Sequence, residues 1–272
     1  MVPAFAPGLS GASYLTNSMT AETTTPPAAP AQASGPLFYR QPLPLQSDKH
    51  ANWRLRPGSL AFAAETNAIP AVIGEFGMAA QHFPILFTGQ DASPIVAVGL
   101  SRSNLFVNDG KWADDTYAPA YLRRYPFVFM QSDDDGNFLL ALDAGSDQVN
   151  QGESDEGEPL FVDGKATELV DNAMKFCADF TREYEQTRQF SAALLAQDLL
   201  VERSIDVTLS NGEKMSVNGF HVVDVEKFAK LPDDIVLAWH RNGWLALVHH
   251  HLTSLNRFNA LVKRQSEQAK AA

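Results

Sequence analysis

The sequence contains a single cysteine, Cys177. No intramolecular disulfide can form, and a zinc site built on several thiolates is excluded. The apolar neighbours Phe176, Ala178 and Phe180 mark the thiol as a packed side chain rather than a nucleophile. Positive charge is missing from one long stretch. Between Arg124 and Lys165 there is no Lys or Arg, while ten acids fall there, and this region carries most of the net charge of −11. Such a chain has no general attraction for nucleic-acid phosphate or anionic lipid, and neither partner is expected. The opening residues lack the basic and apolar regions of a secretory signal, and no run approaches the roughly eighteen apolar residues of a membrane span. Cytoplasm is the default compartment, and surface association would require an export route that the sequence does not reveal.

What is present divides the chain in three. Residues 1–36 are rich in Ala, Pro, Thr and Ser with Glu22 as the only charge, a composition that cannot offset its ordering entropy, so a disordered leader is expected. Residues 37–264 carry the folded part, and 265–272 form a polar tail. In the first half, the spacing of Val72, Phe76, Ala79 and Phe83 predicts a helix over 69–83. Short runs bounded by turn residues (ILFTG, PIVAVGL, NLFV) predict strands, and FVFMQ with NFLLALDA predicts a hairpin about SDDDG. NLFVNDGK and PLFVDGK read as two independent turns of the same chemistry. The acidic segment Gly145 to Pro159 reads as a mobile loop. Beyond Lys165, helical spacing from Leu169 to Leu195 predicts a long helix or a pair broken near Thr187. A hairpin about Ser210-Asn211-Gly212 follows, and then three helical segments, the last with a stripe of Trp244, Val248, His251, Leu255, Phe258 and Val262. The fold expected is a single α+β domain, with an antiparallel sheet in the N-terminal half and a helix-rich C-terminal half.

The most distinctive stretch is Tyr117 to Phe127, YAPAYLRRYPF. Pro119 and Pro126 allow only a turn or two of helix between them. The spacing of Tyr117, Tyr121 and Tyr125 places the three on one helical face together with Arg124. Guanidinium supplies planar donors and tyrosine supplies a stacking face, so Tyr117, Tyr121, Arg123 and Arg124, joined by Trp112, are candidates for a ligand-binding lip. The alternative is structural, with aromatics in the core and arginines paired to carboxylates.

Other chemistry is weaker. His249, His250 and His251 point about 100° apart on a helix and cannot converge on one metal. Asp133, Asp135 and Asn137 resemble the start of a calcium loop, but Phe138 stands where the turn glycine belongs. No phosphate loop, dinucleotide fingerprint or nucleophile elbow is present. No metal and no cofactor are expected. Glu75 is the one isolated carboxylate of interest, either as a structural ion pair or as an acid.

The order of these motifs (GEFGMAA, HFPILF, VAVGL, NLFV before Trp112, YAPAYLRRYPF, PLFVDG and a final GWL with HLTSL) resembles the SapC family of bacterial proteins over residues 37 to 264. The resemblance implies a setting near surface-layer genes, TonB-dependent receptors and flavin-dependent halogenase-like genes, and carries no catalytic residues. The function expected is a noncatalytic binding or accessory protein of surface-layer or uptake systems, taking a peptide or glycan ligand or a protein partner. The competing expectation is an enzyme acting on a peptide or glycan with Glu75 or a histidine as acid or base.

Overall fold

A computed structural model of the chain describes residues 35–131, 137–209, 212 and 214–271. The leader up to residue 34, the tip Asp133 to Asp135 and the turn residues Ser210 and Asn211 lie outside the described residues.

Two antiparallel sheets and a long helix organise the rest. The strands are β1 (Pro42–Pro44), β2 (Ala68–Pro70), β3 (Ile85–Thr88), β4 (Ser93–Ala97), β5 (Phe127–Gln131), β6 (Phe138–Asp143), β7 (Leu200–Thr208) and β8 (Lys214–Val223). The helices are α1 (Phe76–Ala79), α2 (Ala120–Arg124), α3 (Glu168–Ala196), α4 (Val225–Phe228), α5 (Asp233–Arg241), α6 (Trp244–Ser254) and α7 (Phe258–Ala271). One sheet has the order β1-β6-β5, the other β7-β8-β3-β4-β2. The architecture is α+β, with helices dominating the second half, although the hairpin β7-β8 crosses back to complete the larger sheet.

The smaller sheet separates two apolar clusters because its side chains alternate. Phe127, Leu140 and Leu142 enter a cluster with Leu160, Val170 and Cys177. Val128 and Ala141 face the other way, into the main core. Helix α3 serves both clusters, giving Cys177 to the first and Phe180, Phe190 and Leu194 to the second. Burial pushes the Cys177 thiol up to about 11, well away from a thiolate at neutral pH.

Helix α3 runs unbroken past Thr187, and the structure shows why that polar residue is tolerated. Thr187 Oγ1 donates to Glu183 O and accepts the Ile73 amide at 3.0 Å, while Glu183 accepts the Gly74 amide at 3.1 Å. Two residues one turn apart thus satisfy the free donors at the start of the turn Ile73–Glu75. A Cβ at Gly74 would stand 2.5 Å from the Glu183 carboxylate. The helix expected over 69–83 shrinks to this turn plus α1, because residues 68–70 pair with β4 instead. Phe76, Ala79 and Phe83 are nonetheless fully buried.

Both Asp-Gly turns form. Asp109 and Gly110 take φ of 49° and 73°, and Asp163 and Gly164 take 51° and 71°, each between two-residue ladders. Two successive positive φ values suit Asp followed by Gly. The acidic segment is tied down rather than loose. Val149–Asn150 and Glu158–Pro159 both pair with Arg54–Leu55, and the Asn150 side chain bonds to Ser154, Glu156, Gly152 and Glu153. Arg54 and Arg56 neutralise Asp155 and Glu156 at 3.3 Å each. The expected tail is largely helical, since α7 continues to Ala271.

One histidine holds the larger sheet together. Strands β8 and β3 share a single paired position, His221 with Phe87. Beside it His251, fully buried on α6, accepts the Val223 amide on Nε2 at 3.0 Å and donates from Nδ1 to Ile85 O at 2.8 Å. Ser254 then donates to His251 O and accepts the Ile85 amide. His251 is therefore neutral, and burial lowers its pKa to about 4. Its neighbours His249 and His250 are exposed.

A depressed histidine pKa means that the unfolded chain binds the proton first. The stability held by His251 is complete above its ordinary pKa near 6.5 and is lost as pH falls toward 4. Urea unfolding at pH 7.5, 6, 5 and 4 should show this group removing on the order of 3 kcal/mol across that window. The variant His251→Leu should start less stable and show a flatter profile.

Candidate functional site

The stretch Tyr117 to Phe127 leads into β5, and its proline boundaries limit α2 to five residues. That brevity divides the tyrosines. Tyr125 is already extended, with φ −62° and ψ 138°, and donates to Asp143 at 3.0 Å. Tyr117 precedes the helix and donates to Glu75 at 2.9 Å, while Tyr121 donates to Leu37 O at 3.1 Å. The three hydroxyls serve three different parts of the chain, rather than one face.

Glu75 is the anchor of the stretch. Its Oε1 accepts the Val72 amide at 3.0 Å, and its Oε2 accepts the Ala120 amide at 2.8 Å together with the Tyr117 hydroxyl. Arg123 lies behind Tyr117, donating from Nη2 to its hydroxyl and from Nε to Ala118 O, both at 3.0 Å. Burial raises the Glu75 pKa above the usual carboxylate range, and the three donors and the Arg123 charge offset part of that effect. The Tyr117 phenol is pushed up to about 12 by burial and by Glu75. No histidine is among the groups bonded to Glu75.

The two arginines differ sharply. Arg123 is exposed, with its guanidinium 5.5 Å from the Tyr117 ring and 5.3 Å from Phe176. Arg124 turns inward, where its guanidinium lies 4.3 Å from the Phe180 ring, 4.7 Å from Tyr121 and 5.6 Å from Tyr39. Its Nε is buried without a hydrogen-bond partner. Among the described residues, no carboxylate forms an ion pair with either arginine.

Arg124, Tyr121 and Phe180 line a groove of about 990 Å³ that runs along α3. Pro94, Ile95, Val128, Phe129, Phe138 and Leu195 supply most of its apolar surface. The other charges in the groove are the Arg188–Glu185 pair at 3.0 Å and Asp91, which accepts Ser93 Oγ at 2.6 Å. Trp112 does not line this groove. Its indole N–H donates to Thr116 O and Tyr117 O at 3.2 Å each, and its ring stacks on Phe106. A smaller pocket of about 330 Å³ lies around Arg40, Arg56 and Tyr125, but its arginines face Asp147 and Glu156. Among the described residues no cluster is suited to hold a metal ion, and no helix is long and apolar enough to cross a membrane.

Glu75 and Phe180 are the residues that the lip proposed from sequence lacked. Glu75 was visible as an isolated carboxylate, but Phe180 joins Arg124 only through the packing of α3.

The Glu75 contacts carry a stability consequence. Tyr117→Phe removes a buried hydrogen bond to a carboxylate and should cost about 2 kcal/mol in urea unfolding, whereas Arg123→Gln, at an exposed position, should cost less than about 1 kcal/mol. Because the Glu75 pKa is raised on folding, its contribution is greatest below the ordinary carboxylate pKa and declines as pH rises through the raised value. Glu75→Gln should remove that decline.

A model of the SapC family matches residues 45–261. No curated protein and no solved structure matches. The match spans most of the chain, including the larger sheet, strands β5 and β6, α3 and the segments that hold Glu75 and Arg124. The chain belongs to the SapC family.

Proposed function

We propose that this chain is a noncatalytic binding or accessory protein of bacterial surface-layer or TonB-linked uptake systems, and that the groove along α3 holds its ligand. The setting follows from the family resemblance. The site rests on one observation, the state of Arg124. Its guanidinium is held against three aromatic rings and lines a groove, and no described carboxylate neutralises it. Ring faces hold a cation in place at roughly 0.5 to 2 kcal/mol each without cancelling its charge. Such an arginine favours an anionic group presented in the plane of its donors. Tyr121 takes part as a wall of the same box, while Tyr117, Arg123 and Trp112 act from behind by fixing the backbone of the stretch.

The noncatalytic reading draws support from Glu75. Both of its oxygens are occupied by backbone and tyrosine donors. A general acid or base needs an oxygen within reach of substrate, and these oxygens face the scaffold.

Thermal unfolding of the whole chain against short peptides and oligosaccharides, with and without a carboxylate, tests this reading. A ligand at a hundred times its dissociation constant adds about 2.7 kcal/mol of stability. One carboxylate-bearing class should raise the wild-type midpoint, and Arg124→Gln, still folded, should lose that rise. Equal stabilisation of wild type and Arg124→Gln, or none of the wild type, would overturn it.

A further inference from the structure

We propose that the groove receives an extended peptide, which pairs with the Phe129 backbone at the edge of β5 and sets its C-terminal carboxylate against Arg124. This rests on the groove being the ligand site.

The register of the smaller sheet exposes the template. Phe127 pairs with Leu142 and Gln131 with Phe138, and the Asp143 amide donates to Pro126 O. Hydrogen-bonded and non-bonded pairs alternate in an antiparallel ladder, so Pro126, Val128 and Met130 face β6. The amides and carbonyls of Phe127 and Phe129 therefore point away from it. Strand β5 is the edge of its sheet, and no described residue bonds to the Phe129 amide or carbonyl.

That edge faces the groove. Neighbouring side chains on a strand point to opposite faces, yet Val128 and Phe129 both line the same cavity. Both can do so only where the backbone edge between them forms part of the wall. Pro70, Ala71 and Val72, which also line the groove, offer no free amide. Proline has no amide hydrogen, the Ala71 amide donates to Pro94 O, and the Val72 amide donates to Glu75.

The same geometry sets its direction. The Phe127 carbonyl is already taken by the Tyr39 hydroxyl, and the Tyr39 ring is one of the three against Arg124. The Phe129 amide and carbonyl therefore remain for pairing, and from them the strand leads back through Phe127 toward Arg124. A peptide whose carboxylate meets Arg124 runs antiparallel to β5. Its apolar side chains meet Phe129 and Phe138, which stack on each other at 5.9 Å although Phe138 remains 55% exposed. Main-chain pairing supplies affinity, and the carboxylate contact supplies end specificity, as in other strand-addition sites. The volume, about 990 Å³, is at the upper end for a small-ligand site and suits a few residues rather than a domain.

Affinity-selection mass spectrometry with the whole chain tests this directly. The probes are a pool of N-acetylated tetrapeptides with free carboxyl termini, the same pool amidated, the same pool N-methylated on alternate amides, and saturated fatty acids. Wild type should retain members of the free-acid pool, with retention falling about tenfold or more on amidation and on N-methylation. Arg124→Gln, with its midpoint checked, should no longer distinguish acid from amide. Retention of fatty acids alone, lost in Arg124→Gln, would leave the groove as a carboxylate site and overturn the peptide inference. Undiminished binding of the N-methylated pool would overturn strand addition. No retention that depends on Arg124 would overturn both the inference and the site reading beneath it.

Discussion

A buried carboxylate fixes the geometry on which the rest of the site depends. Glu75 accepts the Val72 amide, the Ala120 amide and the Tyr117 hydroxyl, and those groups belong to segments more than forty residues apart in sequence. One side chain thus docks the start of α2 onto the turn before α1. Burying a carboxylate is costly, and here three donors offset the cost. An ionised carboxylate accepts several bonds at once and enforces their directions. With the start of α2 held, its five residues leave Arg124 little freedom. The arginine is delivered into the box formed by Tyr39, Tyr121 and Phe180.

Two adjacent arginines consequently have different physical roles. Arg123 is bonded to the Tyr117 hydroxyl and the Ala118 carbonyl and completes the Glu75 assembly from outside. Arg124 has rings for neighbours and a buried Nε without a partner. An unpaired donor in a low-dielectric site is costly to maintain. The larger sheet follows the same economy at His251, where one neutral ring substitutes for ladder bonds that β8 and β3 do not make.

Local chemistry was legible in the sequence, and long-range partnership was not. Both Asp-Gly turns, the two hairpins, the long helix and the burial of His251 follow from turn preferences and periodicity. The helix expected over 69–83 was shortened because Ala68 to Pro70 found a strand partner in β4, a contact that periodicity does not contain. The three tyrosines of the organising stretch have helical spacing, yet the prolines that confine α2 to residues 120–124 place two of them outside it. The acidic segment looked loose because Arg54 and Arg56, which bind it, lie about a hundred residues away. Tyr121 and Arg124 of the proposed lip do share a groove, while Trp112, Tyr117 and Arg123 lie behind it. The distinction turns on Glu75 and Phe180, whose positions only the tertiary packing defines.

The most direct test is the nitrogen-15 spectrum of the arginine side chains of the whole chain, with Arg124 assigned from Arg124→Lys. Stacked on Phe180 and Tyr121, the Arg124 Nε–H should resonate apart from the other arginines through ring-current shielding. On titration with N-acetylated tetrapeptides bearing a free carboxyl terminus it should shift in proportion to saturation, while Arg123 stays in place. An Arg124 signal that neither stands apart nor moves, or a shift confined to Arg123, would contradict the account.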